Sequence, residues 1–158
     1  MKNVLEYLDN AAVCFPNKLA AKDEKTECTY EELWEKSRQI GTYISKRVPL
    51  RKPVVVFMEK GVEALQIFMG IVSAGDFYVL VDPNFPVQRI QQILDVLQPE
   101  LVITKVEYRE KLTEAKYRGE VAEYCEMNCK EDSQLLADIR KQSLDTDPLY
   151  GIFTSGST

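Results

Sequence analysis

The chain has 158 residues, of which 45% are hydrophobic and 28% charged, with a net charge of −5, four cysteines and no histidine. An acidic balance with no dense Lys/Arg cluster argues against nucleic acid and anionic membranes as partners. The missing histidine excludes Ser-His-Asp and Cys-His catalysis within the chain. A domain of this length buries roughly 70% of its unfolded surface, so one well-formed core is expected. No signal peptide and no apolar run approaching about 18 residues is present, which predicts a soluble, cytoplasmic protein. Cys125 and Cys129 stand one residue further apart than a Cys-x-x-Cys pair, and Cys14 and Cys28 lie elsewhere without paired spacing. Reduced thiols are therefore expected, and no residue is assigned to a metal.

In chain order, Asn3 with Glu6 has the spacing of a capping box. Val4, Leu5, Leu8, Ala12 and Phe15 then share one helical face, and Pro16 closes the helix. Leu19–Lys22 and Thr26–Thr29 flank the polar turn Asp23-Glu24-Lys25 and predict a hairpin. Thr29 and Glu32 repeat the capping-box spacing and open a second helix, whose core face is Leu33, Ser37, Ile40 and Ile44. Gly41 lets a neighbouring element come close.

Beyond a linker bracketed by Pro49 and Pro53, Val54-Val55-Val56-Phe57-Met58 is an uninterrupted apolar run, the pattern of a parallel strand covered on both faces. Val62 to Ala74 is apolar nearly all round and predicts a helix held between layers. Gly75 is placed to end it in the left-handed conformation, and Phe77–Val81 is the next strand. Val87, Ile90, Ile93, Leu94 and Leu97 line a helix stopped by Pro99, and Leu101–Thr104 reads as a third strand. Val106 to Lys116 predicts an exposed helix, Glu120–Tyr124 a short strand, and Asp132–Arg140 a helix presenting Leu135, Leu136 and Ile139. Between Cys125 and Leu144 the pattern is otherwise undecided. After the turn Asp145-Thr146-Asp147-Pro148, Leu149–Phe153 reads as a buried strand, from which the hydroxyl-rich stretch Thr154, Ser155, Gly156, Ser157, Thr158 emerges. The fold class is α/β, a mostly parallel sheet with helices on both faces. Ligands of such sheets sit at the carboxyl ends of the strands, where backbone N–H groups of a loop make an anion site.

Three stretches resemble one family. Tyr150-Gly-Ile-Phe-Thr-Ser-Gly-Ser-Thr158 is similar to the phosphate-binding motif of the AMP-forming adenylating enzymes, which include the adenylation domains of nonribosomal peptide synthetases, D-alanine–carrier protein ligases, acyl-CoA synthetases and luciferases. Ser73-Ala-Gly-Asp-Phe-Tyr-Val-Leu-Val-Asp-Pro83, continued by Asn84-Phe-Pro-Val-Gln-Arg-Ile90, resembles the family's Lys-Ala-Gly-x-Ala-Tyr-Val-Pro-Ile-Asp-Pro pattern and its sequel. The departures are Ser73 for lysine, Phe77 for alanine and Leu80 for proline. Thr29-Tyr-Glu-Glu-Leu33 resembles a third, shorter motif, and it is assigned to folding.

The resemblance implies that residues 1–158 are the N-terminal portion of an adenylation domain, stopping inside the phosphate-binding loop. It implies an ATP- and Mg2+-dependent ligase that activates an amino acid or related carboxylate as an acyl adenylate, releases pyrophosphate and passes the acyl group to a carrier protein or thiol acceptor. The peptide-synthetase or D-alanine-ligase type is preferred over the acyl-CoA type because of Tyr78 to Pro86. Thr154, Ser155, Gly156, Ser157 and Thr158 would wrap the β- and γ-phosphates, with Gly156 permitting a tight turn. The loop lacks the Gly-x-x-x-x-Gly-Lys-Ser/Thr spacing of a Walker motif. The family's loop lysine, magnesium-binding acid, adenine-stacking aromatic and catalytic lysine match no residue here, so no catalytic residue is assigned and the isolated chain is expected to be inactive. The other reading is a non-catalytic α/β module that binds or oligomerises. Uncovered strand edge and apolar surface predict self-association.

Overall fold

The apolar run that starts at Val54 lies at the centre of the protein. In the computed structural model, which describes residues 3–154, Val54, Val55, Val56 and Phe57 are all fully buried. They belong to β3 (Pro53–Phe57), flanked by β4 (Phe77–Val81) and β5 (Leu101–Thr104), each parallel to it. β6 (Glu120–Glu123) adds to β5 and β7 (Tyr150–Gly151) to β4, which gives one parallel sheet in the order β6-β5-β3-β4-β7. The expected hairpin forms a separate antiparallel pair, β1 (Leu19–Lys22) with β2 (Glu27–Thr29).

Side chains alternate across a strand, so β3 divides its residues between two cores. Val54 and Val56 pack with α2 (Tyr30–Ser45) and α3 (Val62–Ser73). Val55 and Phe57 pack with α4 (Val87–Leu97) and α5 (Arg109–Glu114) on the other face. Helices thus cover both faces, as the sequence predicts. None of the α3 residues is exposed, in keeping with a helix held between the sheet and α2. The two helices approach where they lack side chains. A Cβ on Gly70 would come within 2.3 Å of Ile40 Cγ2, and one on Gly41 within 2.7 Å of Ser73 Cβ. Gly75 takes φ +81° at the end of α3, as expected of the left-handed cap.

The Thr29 capping box is present: Glu32 N donates to Thr29 Oγ1 at 3.2 Å, and Thr29 N donates to Glu32 Oε2 at 2.8 Å. The one expected at Asn3 is not. α1 (Leu5–Cys14) takes Val4 as its cap, and Asn3 Oδ1 accepts from Leu5 N at 2.9 Å instead. Only Leu5 and Leu8 of α1 are buried, and Phe15 is exposed because the helix has already ended. Asp23, read as a turn residue, does more. Its Oδ1 accepts from the N–H groups of Lys25 and Thr26, and its Oδ2 accepts from Val62 N at 2.8 Å, at the start of α3. These bonds, led by the one from Val62, hold its carboxyl down at about 2.

Two further expectations change. Val106 to Lys116 is not one exposed helix but a 3₁₀ turn (Val106–Tyr108) followed by α5, which buries Leu112. The undecided stretch resolves into a second 3₁₀ turn (Tyr124–Met127) that buries Met127, and α6 (Ser133–Gln142), capped by Asp132 Oδ1 accepting from Leu135 N at 3.0 Å. Arg38 and Glu131, 2.8 Å apart, tie this segment to α2.

Candidate phosphate-binding site

The site is built at the carboxyl end of the sheet from the segments that follow β4 and β7. After Val81 the chain turns sharply, with Asp82 Oδ1 accepting from Asn84 N at 2.8 Å and Asp82 O accepting from Phe85 N at 3.1 Å. That turn hands the chain to α4, whose Ile90, Ile93 and Leu94 are buried against the sheet. The run Asp82 to Ile90 thereby acts as one unit, a turn followed by a helix docked beside β4.

β7 reaches the same edge by a different route. Arg51, in the left-handed region at φ +64°, donates from Nε to Asp147 Oδ1 at 2.8 Å and from Nη2 to Gln142 O at 2.7 Å. It pins the end of α6 and the Asp145–Pro148 turn to the entry of β3. The stretch between Pro49 and Pro53 is thus a clamp as well as a linker. Beyond it, Tyr150 and Gly151 pair with Tyr78 and Val79.

The last strand is shorter and less buried than Leu149–Phe153 was read to be. Only two residues join the ladder, and Tyr150 is 53% and Ile152 71% exposed. Among the described residues no strand lies outside β7, so its outer edge stays unpaired. Tyr150 stacks on Tyr78 at 5.9 Å between ring centroids, and Tyr78 on Phe68 at 4.2 Å. These rings line an open groove of about 680 Å³ that also includes Met58, Lys60 and Asp82. Phe153 also lines the groove and packs against the cluster around α4.

Thr154 follows at the carboxyl edge, exposed, with its carbonyl accepting from Arg89 Nη2 at 2.9 Å. Ser155, Gly156, Ser157 and Thr158, the other candidate phosphate-binding residues, lie outside the described residues. The acidic groups nearby are already engaged. Glu59, just beyond β3, accepts from the Tyr108 hydroxyl, which holds its carboxyl below the usual range. Lys105 lies 3.0 Å from Glu63 and 3.7 Å from Glu59. The sequence marks Arg89 only as part of the motif and does not show its bond to Thr154, because it lies off the apolar face of α4. The signal was its position, a cation in the first turn, where the helix macrodipole disfavours one.

A family model described as AMP-binding enzyme matches residues 8–158. The chain belongs to the AMP-binding enzyme family. Tyrocidine synthase 1 of Brevibacillus parabrevis is 31% identical to it over 158 residues, spanning 99% of this chain and 14% of that protein. D-alanine--D-alanyl carrier protein ligase of Lacticaseibacillus casei is 26% identical, spanning 99% of this chain and 30% of that protein. The chain therefore spans less than a third of either relative. Among solved structures, the nonribosomal peptide synthetase FmoA3 bound to alpha-methyl-L-serine-AMP superposes with a TM-score of 0.81 at 26% identity, covering 94% of this chain and 16% of that one. The parallel sheet flanked by helices is thus that of the AMP-binding enzymes.

Among the described residues no three Cys, Asp or Glu side chains converge so as to hold a metal ion. The four thiols are free, with Cys28 buried and Cys14 and Cys125 exposed. No helix among the described residues is long and apolar enough to cross a membrane.

Proposed function

We propose that residues 1–158 are the N-terminal portion of the adenylation domain of an AMP-forming ligase, ending inside its phosphate-binding loop. Such an enzyme joins the carboxylate of an amino acid or a related acid to ATP, releases pyrophosphate, and passes the acyl group to a carrier-protein thiol. One observation carries the reading: β7, paired with β4 through Tyr150 and Gly151, leads to Thr154 at the carboxyl edge of the sheet, and the family match runs on through the hydroxyl-rich residues to Thr158. The amino acid and the carrier come from the relatives, a peptide synthase and a D-alanyl carrier protein ligase by name.

In this reaction the carboxylate attacks the α-phosphorus, and negative charge gathers on the departing pyrophosphate. Positioning and electrostatics supply most of the catalysis in such steps. Thr154 to Thr158 would meet the β- and γ-phosphates with backbone N–H groups and hydroxyls. No lysine or metal ligand is given to any residue here, and the chain alone is proposed to be inactive and to self-associate.

Amino-acid-dependent exchange of pyrophosphate into ATP tests the function. The 158-residue chain should show none above blank, whereas a full-length parent enzyme, continuing in frame with Gly-x-Pro-Lys-Gly and carrying the acyl pocket, adenine site and C-terminal domain, should exchange with a subset of amino acids. Exchange by the chain alone would overturn the assignment of the missing groups. A stop codon directly after Thr158 in the gene would favour the non-catalytic module.

A further inference from the structure

We propose that Arg89 is a positioning residue for the phosphate-binding loop, fixing the point and direction at which the loop leaves the sheet. This rests on the reading of Thr154 to Thr158 as that loop. Three observations converge on it. β7 pairs through only two residues and on one side, so the ladder by itself defines the exit of the chain weakly. Phe153 is held against the α4 cluster, which sets one point of contact beyond the strand. Arg89 supplies the next, its Nη2 donating to Thr154 O at 2.9 Å across 65 residues of sequence.

The location of Arg89 supports a dedicated role. It stands in the first turn of α4, where the partial positive charge of the helix end opposes a cation, and the Thr154 carbonyl is its only side-chain partner among the described residues. A guanidinium offers five donors in a fixed fork, so one N–H can hold the carbonyl while the positive charge stays at the mouth of the loop. The role gives the Gln88-Arg89-Ile90 part of the motif a physical meaning. Ile90 docks the helix in the core, and Arg89 reaches from that docked helix to the loop.

Amide hydrogen exchange on the 158-residue chain tests the anchor, with Arg89→Gln, Arg89→Lys and, as a control one position away, Gln88→Ala. In Arg89→Gln the amides of residues 150–154 should exchange roughly tenfold faster while those of β4 are unchanged. Arg89→Lys should recover most of the protection, because an ammonium can still donate to the carbonyl. Gln88→Ala should match the wild type. Unchanged exchange in Arg89→Gln, or equal loss in both Arg89 variants and the control, would overturn the proposal. Inorganic pyrophosphate titrated into the wild type separates the two ideas. Saturable shifts of the same amides support the phosphate reading, and their weakening in Arg89→Gln supports the anchor. Absence of shifts in the wild type removes the phosphate reading and leaves the anchor to be decided by exchange.

Discussion

Asp76 sits between the left-handed Gly75 and the first residue of β4, 4% exposed. Its Oδ1 accepts from Lys52 N at 2.9 Å, and its Oδ2 is buried without a partner among the described residues. Burial disfavours the charged form, with Glu100 adding to the effect, and raises the carboxyl from 3.8 to about 7. The folded protein therefore holds this proton more tightly than the unfolded chain does. The contribution of this group to stability is complete below about pH 4, declines as pH rises toward 7 and stays lower above, by roughly 4 kcal/mol. The urea midpoint of the wild type should fall between pH 5 and 8, and that of Asp76→Asn should stay flat. Parallel profiles would mean that Asp76 is solvated. At the loop, Gly156→Val in a longer, active protein should weaken ATP use at least about tenfold by obstructing a tight backbone turn. Cys125→Ser should leave ATP use unchanged, and equal effects in two folded variants would count against the loop assignment.

The contact between α2 and α3 rests on absent side chains. Gly41 was legible as a point of close approach because it lies on the buried face of a capped helix. Gly70 was not singled out, since in a helix apolar all round no face distinguishes it. A methyl group there meets Ile40 Cγ2 at 2.3 Å and Ile40 Cβ at 2.6 Å, with Ser37 O 3.2 Å away, so Gly70→Ala forces the helices apart. Overpacking of this kind costs about 1–3 kcal/mol, more than the helix propensity that alanine gains. Chemical denaturation should show a net loss, and a more stable variant would mean the helices separate freely. β3, α3 and β4 were legible for the opposite reason, because continuous apolar runs admit few placements other than the middle of a covered sheet. Arg51, Asp23 and Arg89 were not, since each acts on residues distant in sequence through only one or two polar bonds.

At the scale of the whole molecule, β7 has an unpaired outer edge among the described residues, and the groove beside it is lined with Phe68, Tyr78 and Tyr150. Open edges and apolar patches of a few hundred Å² recruit other chains. Light scattering behind size exclusion at micromolar concentration should therefore find dimers or larger species. A monomer that binds no hydrophobic dye would show that the chain is self-sufficient and favour the module reading. The sequence by itself determined the α/β class, the buried strands, the capped helix α2 and the motifs that mark the family. Each of these depends on local periodicity or on residue order, which a linear pattern carries. Tertiary structure decided the strand order, the exposure of the last strand, and the partners of Asp23, Arg51, Asp76 and Arg89. Those depend on which segments meet after folding, and a polar side chain reads the same in sequence whether it faces water or a carbonyl 65 residues away.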